Sequence, residues 1–544
     1  PTCAVPHPSS HPPAPDRHML DIALFRTDQG GNPELVRESQ RRRFADVGLV
    51  DKVIELDEQW RKCRTELNHA QRDLNETQNK MKPFYKEKKP VPEELVAAKQ
   101  AHDAKIAEIQ KKEQELIDAR DGTLGTIGNI IHDSVHVSDD EEHNPVVTTF
   151  GEFKTEPWML SHVDLIYMAG MADYTKGTEV AGNRGYFLTG PGVMLNQALI
   201  NYGLNFLQKK DYTAIQTPFF MKQSIMGKVA QLAQFDEELY KVTGEGDDKY
   251  LIATSEQPIC AFHLNEHVDP KTLPHRLAGS STCFRKEAGS HGRDQLGIFR
   301  VHQFEKIEQF VVCSPEGDES WKEHQRMIDT SEEFYKSLGV PFRTVNIVSG
   351  ALNDAAAKKF DLEAWFPGSK AHRELVSCSN CTDFQSRRLG TRYGHGKGDG
   401  AKLHPHMLNS TLTATERTLC CLVENYQTPT GIRVPDALVP YMNGVAFIPF
   451  KLPFPGKVKK GHEIVHHVPT EQELDEVAKG KDGLSAYLEK HQVAKALNDA
   501  LNKVSKERPA DPVAAIAALL AGGGATAADS KGKAEAKAAM ERGE

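Results

Sequence analysis

Between residues 49 and 81, apolar and small side chains recur every three or four positions: Leu49, Val53, Leu56, Trp60, Cys63, Leu67, Ala70, Leu74, Thr77 and Met81. Charged and amide residues fill the positions between them. A narrow stripe of this period is the seam of a long coiled-coil helix. Pro83, Pro90 and Pro92 interrupt it, because proline lacks the amide donor and clashes with the preceding turn. From 93 to about 120 the spacing resumes with Leu95, Ala98, Ile106, Ile109 and Leu116. Two such helices joined by a proline-marked turn predict an antiparallel helical hairpin. At 1.5 Å of rise per residue the first helix reaches roughly 50 Å, an arm and not a core.

From 146 the pattern changes. Short β-rich runs at 250–253, 299–301 and 309–312 mix with amphipathic stretches at 194–207 and 320–338. No regular strand–helix–strand repeat is evident, so the body reads as α+β with an antiparallel sheet flanked by helices. The organisation that follows is a disordered tail (1–18), the arm (19–125), a glycine-containing and then acidic linker (126–145), the body (146–455) and a Lys/Gly/Glu-rich linker (456–483). A helical pair (484–520) and a second disordered tail (521–544) complete it. The first tail is rich in Pro, His and Ser and has no apolar stretch, unlike a secretory signal. The chain starts at Pro1, which reads as a processed, partial or engineered end.

Composition adds limits. In 544 residues, 67 Lys+Arg stand against 76 Asp+Glu, a net charge of −9. No apolar run approaches the roughly 18–20 residues that cross a bilayer, so no membrane partner is expected. The mean charge argues mildly against a generic DNA coat, but a mean says nothing of one face. At the turn of the arm, Lys80, Lys82, Lys86, Lys88 and Lys89 are opposed only by Glu87, and Arg61, Lys62, Arg64 and Arg72 lie along the first helix. Such a run is commonly a solvated face, yet a rigid arm with a basic end also suits the shape-based grip of an RNA backbone. The nine cysteines, an odd and sparse set partly within apolar runs, suit reduced thiols in the cytoplasm. Cys378 and Cys381 have CxxC spacing, but no second pair supplies four zinc ligands. His404 and His406 are the available neighbours, and buried thiols are the favoured reading.

Three segments of the body carry chemistry. In the first, 284–308, a strand, a glycine-containing loop and a second strand would set Arg285, Glu287, Arg300 and Glu308 on one sheet face. Arginine forks suit phosphate and carboxylate oxygens and stabilise charge growing at a phosphoryl centre. In the second, Glu374 and Ser377 offer hard oxygen ligands of the kind that hold Mg²⁺ against nucleotide phosphates. In the third, Asn409, Ser410 and Thr411 precede a helix that carries Arg417. Each alone also fits a surface ion-pair ladder.

Their joint order resembles the class II aminoacyl-tRNA synthetases, and within them the seryl-tRNA synthetases of the cytosolic eukaryotic type, over most of the chain from Met19 to about Phe450. The matching pieces are Thr254-Ser255-Glu256, FRKEAG at 284–289, RVHQFEKIEQF at 300–310, ELVSCSNCTDFQSRR at 374–388 and the stretch 408–440. The resemblance implies ATP-dependent formation of seryl-adenylate and transfer of serine to the 3′ end of tRNA(Ser), with tRNA(Sec) a further candidate. It implies Arg285, Arg300 and Arg417 as the catalytic cations. Arg285 would contact the α-phosphate and the serine carboxylate; Arg300 and Arg417 would hold the β- and γ-phosphates. The ATP site would comprise Arg285, Lys286, Glu287, Arg300, Val301, Glu374, Leu375, Val376, Ser377 and Arg417, with Glu287 at the adenine end and Glu374 and Ser377 on Mg²⁺. Thr254, Ser255, Glu256, Glu308, Asn409 and Thr411 would bind serine. The arm, with Arg61, Lys62, Arg64, Arg72, Lys80 and Lys82, would lie on the tRNA. A homodimer would form through 194–207 and the strand leading to Pro218, and no structural zinc is expected.

Two rival readings are a synthetase-like binding protein without catalysis and a ligase that charges a carrier protein. The complete set of phosphate-gripping residues argues against the first, and the intact arm against the second. Outside this match, 484–520 carries Leu484, Leu488, Leu497, Leu501 and Val504, then Pro509 and Pro512, then Val513, Ile516, Leu519 and Leu520. It resembles the Dpy-30/RIIα-type dimerisation-and-docking motif, which implies a protein partner; a helical appendage packed on the body is the alternative.

Overall fold

The computed structural model describes residues 20–230, 238–244, 246–287, 296–394, 403–456 and 465–480, with isolated positions at 499, 503–506 and 511. The tails expected at 1–18 and 521–544 and, apart from those positions, the helical pair expected at 484–520 lie outside the described residues. A short helix α1 (Pro33–Arg42) precedes two long ones, α2 (Gly48–Lys86) and α3 (Glu93–Leu124). Cys63, Leu67, Ala70 and Ile109 close the seam between α2 and α3, with Ile106 and Leu116 against them. The break expected at Pro83 does not occur there: α2 runs through Pro83 to Lys86. A proline one turn from a helix end forfeits little more than its own amide bond, and the Glu87 amide still donates to the Pro83 carbonyl (3.0 Å).

Near its base the seam turns polar. Asp57 is buried where the spacing placed Leu56, which is half-buried. Arg26 donates to both Asp57 oxygens (2.7 and 2.8 Å) and Arg120 of α3 donates to Oδ1 (2.9 Å). Both guanidinium groups lie against the Trp60 ring, 5.8 and 4.9 Å from its centre. Burial works against the Asp57 charge, but the two arginines outweigh it and hold the carboxyl below its ordinary value.

The connector after α3 is packed. Ile127, Ile131 and Val135 are buried. Arg43, just past α1, is buried beneath it and donates to the carbonyls of Asn129 (3.1 Å), Asn353 (3.1 Å) and Ala356 (2.6 Å). Gly128 leaves room for that guanidinium, since a Cβ there would lie 2.8 Å from Arg43 Nε.

The body is built on an eight-stranded sheet. In chain order its strands are β1 (Val146–Phe150), β2 (Thr213–Gln216), β3 (His275–Phe284), β4 (Gln303–Cys313), β5 (Phe342–Asn346), β6 (Lys358–Phe366), β7 (Ala371–Asn380) and β8 (His406–Ala414). They lie in the order β1-β5-β6-β7-β8-β4-β3-β2. Every pair is antiparallel except β2 beside β3. The labelled helices of the body are α4 (Pro191–Gln208), α5 (Glu256–Phe262), α6 (Glu319–Ser337), α7 (Phe384–Leu389) and α8 (Thr415–Asn425).

Alternation along β4 divides the sheet into two faces. Ile307, Gln309 and Val311 point to a back layer, where Gly203 of α4 leaves space for Ile307 and Leu412, and Gln309 donates to Ser331 Oγ of α6 (2.9 Å). Tyr335 of α6 bonds Thr418 of α8 there (3.0 Å). Lys306, Glu308, Phe310 and Val312 point to the front, where Ile259, Cys260, Leu389 and Met407 pack on Phe310 and Val312. The front is therefore apolar at one end of β4 and charged at the other. The described chain continues past the body into a separate unit from Val468, represented by the helix Glu471–Gly480, whose Thr470 and Glu473 cap each other (Thr470 N to Glu473 Oε2, 2.8 Å). Among the described residues no helix is long and apolar enough to cross a membrane.

Because Arg43 is buried and its guanidinium donates to the carbonyls of Asn129, Asn353 and Ala356, Arg43→Met is expected to cost about 3 kcal/mol, whereas Arg37→Met, which breaks only exposed ion pairs, costs under about 1 kcal/mol. Thermal melts of the two variants in parallel check this; equal shifts would refute it.

Candidate active site

The charged half of the front face opens as a cleft lined by Arg285, Glu287, Phe299, Arg300, Val301, Phe304, Lys306, Glu374, Leu375, Thr411, Ala414, Glu416 and Arg417. The strand–loop–strand expectation needs correction. β3 ends at Phe284 and β4 begins at Gln303, so Arg285, Glu287 and Arg300 lie just beyond the paired strands and 299–301 is not a strand. They converge nonetheless. The Arg285 amide donates to the His302 carbonyl (2.9 Å), His302 Nδ1 lies 2.9 Å from the Arg285 carbonyl, and this extra rung carries Arg285 into the cleft. Glu287 adopts φ +52°, unusual for a residue with a side chain. Its carboxylate accepts from Arg300 Nη1 (3.1 Å) and its carbonyl from Arg184 Nη1 (2.9 Å). The Arg285 guanidinium stands 5.3 Å over the Phe304 ring, and Arg285 Nε donates to the Ala253 carbonyl (3.3 Å).

The opposite wall depends on an irregularity in β7. Residues three apart in a regular strand face opposite ways. Here β6 pairs Leu362 with Val376 and then Glu363 with Glu374, leaving Leu375 as the extra residue of a bulge. Parity resets, and Glu374 and Ser377 share the front face. Val376, paired with Leu362 and adjacent to Ser377, faces the back and is buried, whereas Leu375 lines the cleft. Glu374 is half exposed (48%) at the mouth of the cleft. Partial burial raises its pKa, but Arg417, Lys359, Arg285 and Lys306 overcome this and hold its carboxyl below the ordinary value. Arg417 Nη1 donates to the Glu374 carbonyl (3.2 Å), and the guanidinium groups of Arg417 and Arg373 lie 5.0 and 5.1 Å from the centre of the Phe299 ring. A carboxylate and a hydroxyl on one face, among cations suited to phosphate, fit a Mg²⁺–nucleotide group.

Beneath the cleft lies a cluster of acidic and amide side chains. Glu256 Oε1 accepts from Gln385 Nε2 (2.8 Å) and Asn409 Nδ2 (2.9 Å). Burial, then the charge of Glu308, pushes the Glu256 carboxyl up. Glu308 pairs in register with Thr411 on β8 and with Gly279 on β3. A Cβ at Gly279 would lie 2.5 Å from Ile259 and 2.7 Å from Ser255 Oγ, so the glycine sets how closely α5 approaches the sheet. Thr254 Oγ1 accepts from the Glu256 amide (3.2 Å), while Ser255 is fully buried against Gly279 and does not line the cleft. The Lys286 amide donates to the Glu238 carbonyl (2.9 Å).

The cysteine pair divides between two environments. Cys378 faces the back layer, and Cys381 Sγ accepts from Asn409 Nδ2 (3.6 Å), behind the acidic cluster. Burial pushes both thiols up. His404 Nδ1 contacts the Thr391 carbonyl (2.7 Å) and His406 Nδ1 contacts Ser320 Oγ (2.9 Å). Among the described residues no three His, Cys, Asp or Glu groups cluster as metal ligands. On the arm, Arg61 pairs with Asp28 (2.6 Å) and Arg64 with Glu113 (3.1 Å), Lys82 donates to Asn79 (2.7 Å), and Lys62, Arg72 and Lys80 are exposed. Sequence reading missed Phe299, Phe304, Lys306 and Gln385, whereas the buried thiol expected at Cys381 is found. No motif marks Gln385, because its role arises only where α7 meets α5.

Two family models match this chain: the tRNA synthetase class II core domain (G, H, P, S and T) over residues 240–426, and the seryl-tRNA synthetase N-terminal domain over 19–131. The serine–tRNA ligase of Helianthus annuus is 58% identical over 433 residues, 79% of this chain and 99% of the relative. The cytoplasmic serine–tRNA ligase of Arabidopsis thaliana is 56% identical over 441 residues, 80% and 97% of the two chains. Among solved structures, the cytoplasmic serine–tRNA ligase of Naegleria fowleri in complex with AMP is 55% identical, covers 80% of this chain and 100% of that one, and superposes with a TM-score of 0.72. The seryl-tRNA synthetase of Pyrococcus horikoshii complexed with ATP is 36% identical with the same coverage and TM-score. A cleft on the front of an antiparallel sheet, a helical arm before it and relatives matched over nearly their whole length place this chain in the seryl-tRNA synthetase family of class II aminoacyl-tRNA synthetases.

Proposed function

We propose that this protein is the cytoplasmic ATP-dependent ligase that activates serine and charges tRNA(Ser). The observation that carries the reading is the junction, on one sheet face, of an arginine-lined cleft with a cluster of carboxylate and amide side chains; that cluster is the serine chamber of this reading. Serine in the chamber presents its carboxylate to the cleft. A carboxylate oxygen attacks the α-phosphorus of ATP, the bond to the bridging oxygen breaks, and pyrophosphate leaves. The 2′- or 3′-hydroxyl of the terminal tRNA adenosine then attacks the activated carbonyl, loses its proton and releases AMP. This chemistry needs positioning and charge stabilisation and no protein nucleophile.

Arg285 holds the α-phosphate and the serine carboxylate, while Arg300 and Arg417 hold the β- and γ-phosphates. Glu287 and Val301 receive the adenine end, and Phe304 offers a flat face beside it. Glu374 and Ser377 would hold Mg²⁺, which when bound supplies positive charge to the phosphate oxygens. Thr254, Glu256, Glu308, Asn409 and Thr411 bind serine. A chamber that hydrogen-bonds the serine hydroxyl rejects alanine strongly, because alanine leaves buried polar groups unpaired. The arm lies along the tRNA: Lys62, Arg72 and Lys80 are exposed, and the ion pairs of Arg61 and Arg64 are exposed enough to yield to phosphates. The exposed apolar residues Val193 and Met194 on α4, with Phe187 before it, support a homodimer through this helix.

Serine-dependent ATP–pyrophosphate exchange, followed by charging of tRNA(Ser) and of tRNA(Sec) in parallel, tests the reading; a folded protein without exchange or charging refutes it. Arg285→Ala is expected to lower exchange by about 10²-fold or more while sedimentation still reports a dimer. Excision of 80–92 is expected to impair charging and leave exchange intact; equal loss of both would contradict the separate role of the arm. Gln385→Leu removes one donor to Glu256 and is expected to raise KM for serine about tenfold with little change for ATP. Steady-state exchange kinetics with each substrate varied will show whether the effect is confined to serine.

A further inference from the structure

Lys306 and Glu308 are two apart on β4 and share the front face. Lys306 Nζ lies 2.6 Å from Glu308 Oε2, with the side chains only 8% and 2% exposed. Lys306 lines the cleft beside Arg285, Glu374 and Thr411, whereas Glu308 lies beneath it and does not. From α5, Glu256 adds a second carboxylate to the chamber close enough to feel the charge of Glu308. Lys306 thus stands at the boundary between the acids assigned to serine and the arginines assigned to ATP.

That position creates a conflict which the substrate itself resolves. A serine ammonium that binds Glu308 meets the Lys306 ammonium on the same carboxylate, and like charges repel strongly where water is scarce. Serine also brings a carboxylate, which must face the cleft if it is to reach the α-phosphate. Lysine has a flexible four-carbon stem and three rotatable donors, so a short swing would carry Nζ from Glu308 to that carboxylate.

We propose that Lys306 is a serine-positioning residue that occupies Glu308 before serine binds, then passes to the serine carboxylate when the serine ammonium replaces it on Glu308. One ion pair is exchanged for two, and the charge of the chamber stays balanced throughout. The inference rests on the serine-ligase reading above and assigns a role to a residue which that reading leaves unused.

The test is calorimetric binding of serine, of serinamide, which keeps the ammonium and hydroxyl but lacks the carboxylate, and of ATP to the full-length wild type, Lys306→Met and Lys306→Arg. Lys306→Met is expected to weaken serine about tenfold or more, serinamide by less than about threefold and ATP by less than about twofold, and Lys306→Arg to recover part of the serine affinity. If Lys306→Met fails to bind ATP, Lys306→Gln carries the same comparison with the same expected ratio. Unchanged serine affinity, or equal weakening of serine and serinamide, overturns the proposal. Wild-type protein that binds neither amino compound refutes the ligase reading itself, an outcome distinct from a variant that merely preserves the serine-to-serinamide ratio.

Discussion

Burying ionised groups is costly unless each is held beside an opposite charge or a set of donors, and this protein keeps many of them on one face of one sheet. Glu256 and Glu308 share the front with Lys306, Arg285 and Arg417, and Glu374 stands half exposed at the mouth of the cleft. The arrangement is tolerable because the back of the same sheet is sealed by α4, α6 and α8 around aromatic and aliphatic side chains. The back layer carries the stability that lets the front hold unlike charges close together without collapsing. Gly279 and Gly203 mark the two faces of this bargain: one lets α5 approach the charged side, the other lets α4 approach the apolar side.

The arm is bound to the body by similar chemistry. Asp57, held by Arg26 and Arg120 with both guanidinium groups against the Trp60 ring, fixes the base of the hairpin to the segment before α1. Arg43 and Asn129 continue the connection. Asn129 Nδ2 donates to the Cys381 carbonyl (2.9 Å), Cys381 Sγ accepts from Asn409, and Asn409 donates to Glu256. A continuous set of polar contacts therefore joins the foot of the arm to the chamber assigned to serine. Contiguity of this kind is the physical precondition for coupling between the two sites.

Much of this was legible along the chain, and the exceptions have definite causes. The 3–4 spacing identified both long helices, because a seam must repeat wherever two helices stay in contact. It misplaced the break at Pro83, since a helix near its end loses little to one missing donor. It also assigned the base of the seam to Leu56, because periodicity cannot anticipate that two arginines distant in sequence would make an aspartate the better buried residue. The strand-face argument for Arg285, Glu287 and Arg300 put the right residues together for an incomplete reason: they gather at the end of a hairpin, beyond its ladder.

What the sequence determined by itself was the arm, the α+β body and the identity of most groups in the cleft, since residue type and short-range order carry those properties. Tertiary structure alone decided which way they face. The bulge at Leu375 brings Glu374 and Ser377 to one side and turns Val376 to the other. The approach of α7 to α5 gives Glu256 its Gln385 donor. The burial of Lys306 on Glu308 turns an ordinary strand lysine into part of the site. Each depends on register or on the packing of distant segments, and neither quantity is written in the spacing of residues along a single chain.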